Sequence, residues 1–128
     1  MKNRPLIVVV DDDAMILKLI ESDLKTLDAE VVSFRYGEDF LPQLHLNPRL
    51  VILDFIFVNG DKQVLSGLEI LQEIRRLKPD LPVIILSGQE SGSTVLELIK
   101  LGIEEYIIKE KNFTSKLKEA VIGILEDE

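Results

Sequence analysis

Five short apolar runs, each followed by a segment whose apolar residues recur at helical spacing, constrain the fold of this chain more than any other feature. The first is Leu-Ile-Val-Val-Val, Leu6 to Val10, bounded by Pro5 and Asp11. Glu30 to Phe34 is a second. The third, Leu-Val-Ile-Leu-Asp from Leu50 to Asp54, sets four large apolar residues in a row and reads as a strand buried on both faces. Residues 82–86 are a fourth run of this kind, and Tyr-Ile-Ile at 106–108 is the fifth.

Between these runs, Ile16, Leu17, Ile20, Leu24 and Leu27 predict a helix over residues 14–27. Gly37 and Glu38 open a second through Leu41 and Leu44, stopped by Asn47-Pro48. Ser66 and Glu69 have capping-box spacing ahead of Ile70, Leu71, Ile74 and Leu77, and Lys78-Pro79-Asp80 ends that helix. Val95, Leu96, Ile99 and Leu101 mark a fourth, closed by Gly102, and Phe113, Leu117, Val121, Ile124 and Leu125 mark a last. Strands alternating with helices predict an α/β domain with a parallel sheet and right-handed crossovers. At 128 residues, 46% of them hydrophobic, the chain suits one domain over residues 1–128.

In such sheets ligands bind beyond the carboxyl ends of the strands, where strand order reverses. Asp11-Asp12-Asp13 follow the first run, Asp54 ends the third, Ser87 follows the fourth and Lys109 the fifth. Two carboxylates about 4 Å apart repel by roughly 4 kcal/mol at an effective dielectric near 20, so Asp11, Asp12 and Asp54 together call for a cation. Oxygen ligands without His or Cys suit Mg²⁺. Lys109 can hold a carboxylate or phosphoryl oxygen, and the Ser87 hydroxyl can donate to one. Together these are the parts needed to place a phosphoryl group on Asp54. Taken singly, each has a plainer reading: Asp13 is expected to be the N-cap of the first helix, Ser87 a turn residue, Lys109 a solvated strand end, and His45 structural.

With 23 acidic and 15 basic residues the formal net charge is -8, which argues against direct nucleic-acid binding and against an anionic membrane surface. No stretch approaches a membrane span, and three aspartates cut the N-terminal apolar run too early for a signal peptide. A cytoplasmic protein is expected. The absence of cysteine excludes disulfides and thiolate metal sites.

Val10-Asp11-Asp12, Leu53-Asp54, Ser87-Gly88 and Tyr-x-x-Lys from Tyr106 to Lys109, each after the appropriate strand, resemble the receiver domain of response regulators over essentially the whole chain. That resemblance implies a doubly wound, flavodoxin-like sheet of five parallel strands in the order 2-1-3-4-5, flanked by five helices. It implies Asp54 as phosphoacceptor from a phosphohistidine on a sensor histidine kinase or phosphotransfer protein. Mg²⁺ would be held by Asp12, Asp54 and the backbone carbonyl of Ile56, with Asp11 acting mostly through water. Lys109 would hold an acyl-phosphate oxygen, Ser87 would swing toward it, and Tyr106 would follow as the switch. A downstream protein would meet the face made by the fourth helix, fifth strand and fifth helix, and a homodimer is compatible with the family. Such a protein is no enzyme beyond its own phosphorylation and dephosphorylation.

Two features depart from the family pattern. Residues 55–65, with Asn59-Gly60-Asp61 as turn signal, make a connection longer than usual by about five residues, against typical loops of about 4 to 6. Glu110 stands where the family usually has Pro, so a trans or strained Lys109–Glu110 bond is expected. In the family the residues two beyond the phosphoacceptor and the serine flank the attacking water; here they are Ile56 and Gln89, and an apolar side chain cannot orient that water, so the resemblance implies slow self-dephosphorylation if the longer loop keeps Ile56 in place. The altered loop leaves a constitutive interaction module as an alternative. A small aspartate-nucleophile phosphohydrolase, with Asp11 and Asp13 as its paired acids, ranks last.

Overall fold

In the computed structural model, which describes residues 4–55, 66–88 and 91–127, the five apolar runs pair into one parallel sheet. Strands β1 (Leu6–Val10), β2 (Glu30–Phe34), β3 (Leu50–Asp54), β4 (Val83–Ser87) and β5 (Glu105–Ile108) lie in the order β2-β1-β3-β4-β5, as expected. Strand order therefore reverses between β1 and β3. Val10 lies beside Leu53, Asp54 beside Leu86 and Ser87 beside Ile108, so the carboxyl ends finish close together on one rim.

Side-chain alternation sorts the core into two layers. Ile7, Val9, Ile52, Ile84, Leu86 and Ile107 pack with Leu17, Ile20 and Leu24 of α1 (Ala14–Leu24) and with Phe113, Leu117 and Val121 of α5 (Phe113–Glu126). On the other face Val8, Val10, Val51, Leu53, Val83 and Ile85 meet α2 (Gly37–Phe40), a 3-10 helix at Leu41–Leu46, α3 (Gly67–Leu77) and α4 (Gly92–Lys100) through Phe40, Leu44, Ile70, Leu71, Ile74 and Leu98. Because β3 and β4 are buried along their whole length, their sequences are continuously apolar up to the rim. No helix of the described residues is long and apolar enough to cross a membrane.

Several boundaries differ from those the spacing predicts. Helix α1 stops at Leu24 rather than Leu27, because the Leu27 N–H turns back to the Leu24 carbonyl (3.0 Å); Leu27 still packs on the core from the turn that follows. The second helix is α-helical only over Gly37–Phe40. Pro42, which lacks an N–H, enters the first turn beyond it, the backbone tightens to 3-10, and Asn47 ends the segment in the left-handed region at φ 57. Strand β4 sits one residue later than expected, leaving Pro82 outside, its carbonyl accepting from the Val51 N–H (3.0 Å), and taking Ser87 in. Helix α4 starts at Gly92, well before its first apolar residue, since the Ser91 hydroxyl accepts from the Thr94 N–H; Gly102 follows its end at φ 81.

Helix α3 begins with the expected capping box: the Ser66 hydroxyl accepts from the Glu69 N–H (3.2 Å) and the Glu69 carboxylate from the Ser66 N–H (3.0 Å). Ser66→Ala is expected to cost about 1 kcal/mol. In urea unfolding this lowers the midpoint at constant slope, whereas an unchanged midpoint would show that the cap contributes nothing.

Candidate functional site

Strands β1, β3 and β5 each continue the ladder one residue past their ends, which fixes where the rim side chains start. The Asp11 N–H donates to the Phe34 carbonyl (3.0 Å), the Phe55 N–H to Leu86 (2.7 Å) and the Lys109 N–H to Ser87 (2.7 Å). Asp11 (1% exposed), Asp54 (8%) and Ser87 (0%) are the buried polar residues of the described chain. One carboxylate oxygen from each of Asp11, Asp12 and Asp54 lies within 4.8 Å of the others. Lys109 reaches in from beyond β5: its Nζ is 2.6 Å from Asp54 Oδ1 and 3.1 Å from Asp11 Oδ2.

The electrostatics of this cluster are unbalanced. Burial, which penalises the charged form, pushes the Asp54 carboxyl up to about 7; Lys109 pulls against it, while Asp11 and Asp12 add repulsion. Burial also works against the charge on Lys109, but its ion pairs with Asp54 and Asp11 outweigh that and hold the ammonium above its ordinary value. Asp11 Oδ2 and Asp54 Oδ1 are both buried, and the Lys109 ammonium is the charge partner of each. Three carboxylates against one ammonium leave two negative charges in excess. An all-oxygen donor set with that excess of buried negative charge fits a hard divalent cation. Asp11, Asp12 and Asp54 are the residues that could hold it.

Asp13, although adjacent, is outside the cluster. Its Oδ1 accepts from the N–H groups of Met15 (2.9 Å) and Ile16 (3.4 Å), the expected N-cap of α1, which is at odds with pairing it to Asp11 in a phosphohydrolase site. His45 Nδ1 lies 2.9 Å from the Pro42 carbonyl, a local contact within the 3-10 turn. Phe55 is core, whereas Phe57 and Val58 lie outside the described residues, as do the Asn59-Gly60-Asp61 turn, Ile56 and Gln89. Tyr106 is half-buried against the α3 and α4 layer. The described peptide bonds are trans, that between Lys109 and Glu110 included.

Two residues at the rim were not anticipated. Gly67, the first residue of α3, packs so closely on the end of β3 that a Cβ there would lie 3.0 Å from the Phe55 Cα and 3.2 Å from the Asp54 carbonyl oxygen. Arg35, immediately after β2, donates from Nη2 (2.9 Å) and Nε (3.3 Å) to the carbonyl of Asp12. The strand-end rule that picks out Asp11, Asp54, Ser87 and Lys109 points to Arg35 equally well when it is applied to the second strand.

Comparison with known proteins places this rim in context. The family model described as response regulator receiver domain matches residues 7–122. A probable transcriptional regulator, ycf27, of Cyanophora paradoxa is 32% identical over 124 residues, covering 96% of this chain and 48% of its own. The response regulator DrrB of Thermotoga maritima superposes with a TM-score of 0.82 at 32% identity, over 97% of this chain and 54% of that one. The BeF3-activated receiver domain of DrrB gives 0.82 at 31% identity, over 97% and 99%. The chain spans about half or less of the length of the curated relatives it matches.

Proposed function

The chain belongs to the response regulator receiver domain family, and from that premise we propose that it takes a phosphoryl group onto Asp54 and changes its protein contacts as a result. The donor in this reading is a phosphohistidine on a sensor histidine kinase or phosphotransfer protein, residues 1–128 are a single receiver domain, and the compartment is the cytoplasm. The observation that carries it is the placement of Asp54, a buried carboxylate with the Lys109 ammonium at 2.6 Å and the Asp11 and Asp12 carboxylates clustered with it.

An Asp54 oxygen attacks phosphorus as the phosphorus–nitrogen bond to the donor histidine breaks, and the imidazole leaves with that electron pair. Attack requires the ionised carboxylate, which the Lys109 charge favours against the cost of burial. Lys109 then holds a phosphoryl oxygen, and the Ser87 hydroxyl, at the end of the neighbouring strand, donates to another. Mg²⁺, when held by Asp11, Asp12 and Asp54, supplies neutralisation of the charge on the group in transfer. The Ile56 carbonyl is proposed as a further ligand from the family pattern alone.

Phosphorylation takes Asp54 from one negative charge toward about two, and Ser87 and Tyr106 are the proposed switch. The readout would be the face of α4, β5 and α5, where Leu96, Ile99 and Ile108 are exposed. Treatment with acetyl phosphate is expected to add one phosphoryl group to the intact mass with Mg²⁺ present and none without it, and Asp54→Ala is expected to stay unmodified. An unchanged wild-type mass, with partner binding indifferent to beryllofluoride, would instead identify a constitutive interaction module.

A further inference from the structure

We propose that Arg35 is a positioning residue that sets the direction of the Asp12 carboxylate toward the metal, an inference that rests on the proposed phosphoacceptor site. The peptide group between Asp12 and Asp13 is held at both of its polar atoms. On one side the Arg35 guanidinium donates to the Asp12 carbonyl, at 2.9 and 3.3 Å. On the other the Asp13 N–H donates to Asp11 Oδ1 at 2.9 Å. That plane can therefore turn only if a cation contact or a contact to a buried carboxylate is broken.

The neighbours of this peptide are equally committed. Asp11 has its second oxygen against Lys109 (3.1 Å), and Asp13 starts α1, its carbonyl accepting from the Leu17 N–H (3.1 Å). Asp12 is the half-exposed member of the three carboxylates, so its own side chain has the most freedom. The orientation of its backbone decides which rotamers aim at Asp11 and Asp54. Arg35 is restrained in turn, since its guanidinium carbon lies 5.8 Å from the centroid of the Tyr36 ring. It joins the end of β2 to the β1–α1 turn across 23 residues of sequence.

The proposal makes a prediction opposite in sign to simple electrostatics. A cation on the rim repels Mg²⁺, so removing Arg35 would tighten binding if its charge were all that mattered. A lost positioning contact weakens it instead. Titration calorimetry with MgCl₂ on wild type, Arg35→Ala and Arg35→Lys is the test. Arg35→Ala is expected to bind Mg²⁺ about tenfold more weakly. The deficit should persist near 1 M salt, where the screening length is about 3 Å. Arg35→Lys, which keeps the charge and one donor, is expected to fall between the two, and the metal-free melting temperature of Arg35→Ala should match wild type. Equal or tighter binding by Arg35→Ala, or a metal-free melting temperature well below wild type, overturns the role of Arg35 alone. Failure of the wild type to bind Mg²⁺ overturns the phosphoacceptor reading and this inference with it.

Discussion

Asp54→Asn is expected to make the metal-free protein more stable at neutral pH while removing its capacity for phosphorylation. The carboxyl of Asp54 has an ordinary value of 3.8 and is pushed up to about 7 in the fold, chiefly by burial. A rise of about three pH units corresponds to roughly 4 kcal/mol of penalty on the charged form, an upper bound because the protein can relax around it. We expect about half of that, roughly 2 kcal/mol and 5–10 °C in melting temperature, to be recovered by the neutral amide. The pH dependence follows from proton uptake. Near pH 4 and below, both the folded and unfolded states hold the proton on Asp54, and the group contributes nothing. Between about 4 and 7 the folded state binds more proton than the unfolded, so raising the pH destabilises the wild type. Above about 7 both states are ionised and the penalty is complete. The stability difference between Asp54→Asn and wild type should therefore open from about pH 4 to about pH 7 and then level off, and saturating Mg²⁺ should narrow it. Thermal melts across that range decide the matter: a difference that does not vary with pH, or a wild type more stable than the variant at pH 8, would mean that the Asp54 charge is not strained.

What could be read from the residues alone divides along physical lines. Leu50 to Leu53 and residues 83–86 declare themselves as central strands because both faces are buried, so no polar alternation blurs the run. The gathering of Asp11, Asp12, Asp54 and Lys109 follows from topology, since parallel strands joined by crossover helices all bring their carboxyl ends to one rim. Ser66 and Glu69 are legible because a capping box involves only neighbours in sequence. The second helix is misjudged because Leu41 and Leu44 keep helical spacing even where Pro42 forces the backbone into a 3-10 turn. The early start of α4 is hidden because its first turn carries no apolar residue and its cap, Ser91, sits within a polar stretch. Arg35 is the most instructive case. Its partner is a backbone carbonyl, which every residue has, so residue identity and spacing alone cannot name the contact.

Lys109→Met tests the same charge balance from the opposite side, and its expected effect is larger. Methionine keeps an unbranched apolar stem, so the substitution removes the ammonium with little loss of packing. Asp11 and Asp54, whose side chains are 0% and 4% exposed, then face each other without a cation. Leaving one side of a buried pair uncompensated costs about 3–5 kcal/mol in general, and the lower end applies here because Lys109 itself is 15% exposed. In the wild type the ion pairs raise the pKa of Lys109, so their stabilisation is fully present below the ordinary value of 10.5 and lost only as pH rises beyond the raised one. In Lys109→Met the pressure on Asp54 to take up a proton is stronger still. The cost is therefore expected to be greatest at high pH and to shrink as the pH falls toward about 7, where Asp54 takes up a proton in both proteins. Combining Lys109→Met with Asp54→Asn should recover most of the loss, giving a coupling of about 2 kcal/mol between two residues in direct contact. Urea unfolding of the four proteins at pH 5.5 and 8 supplies the double-mutant cycle. Additive effects that do not vary with pH would assign the loss to the lysine stem and not to its charge.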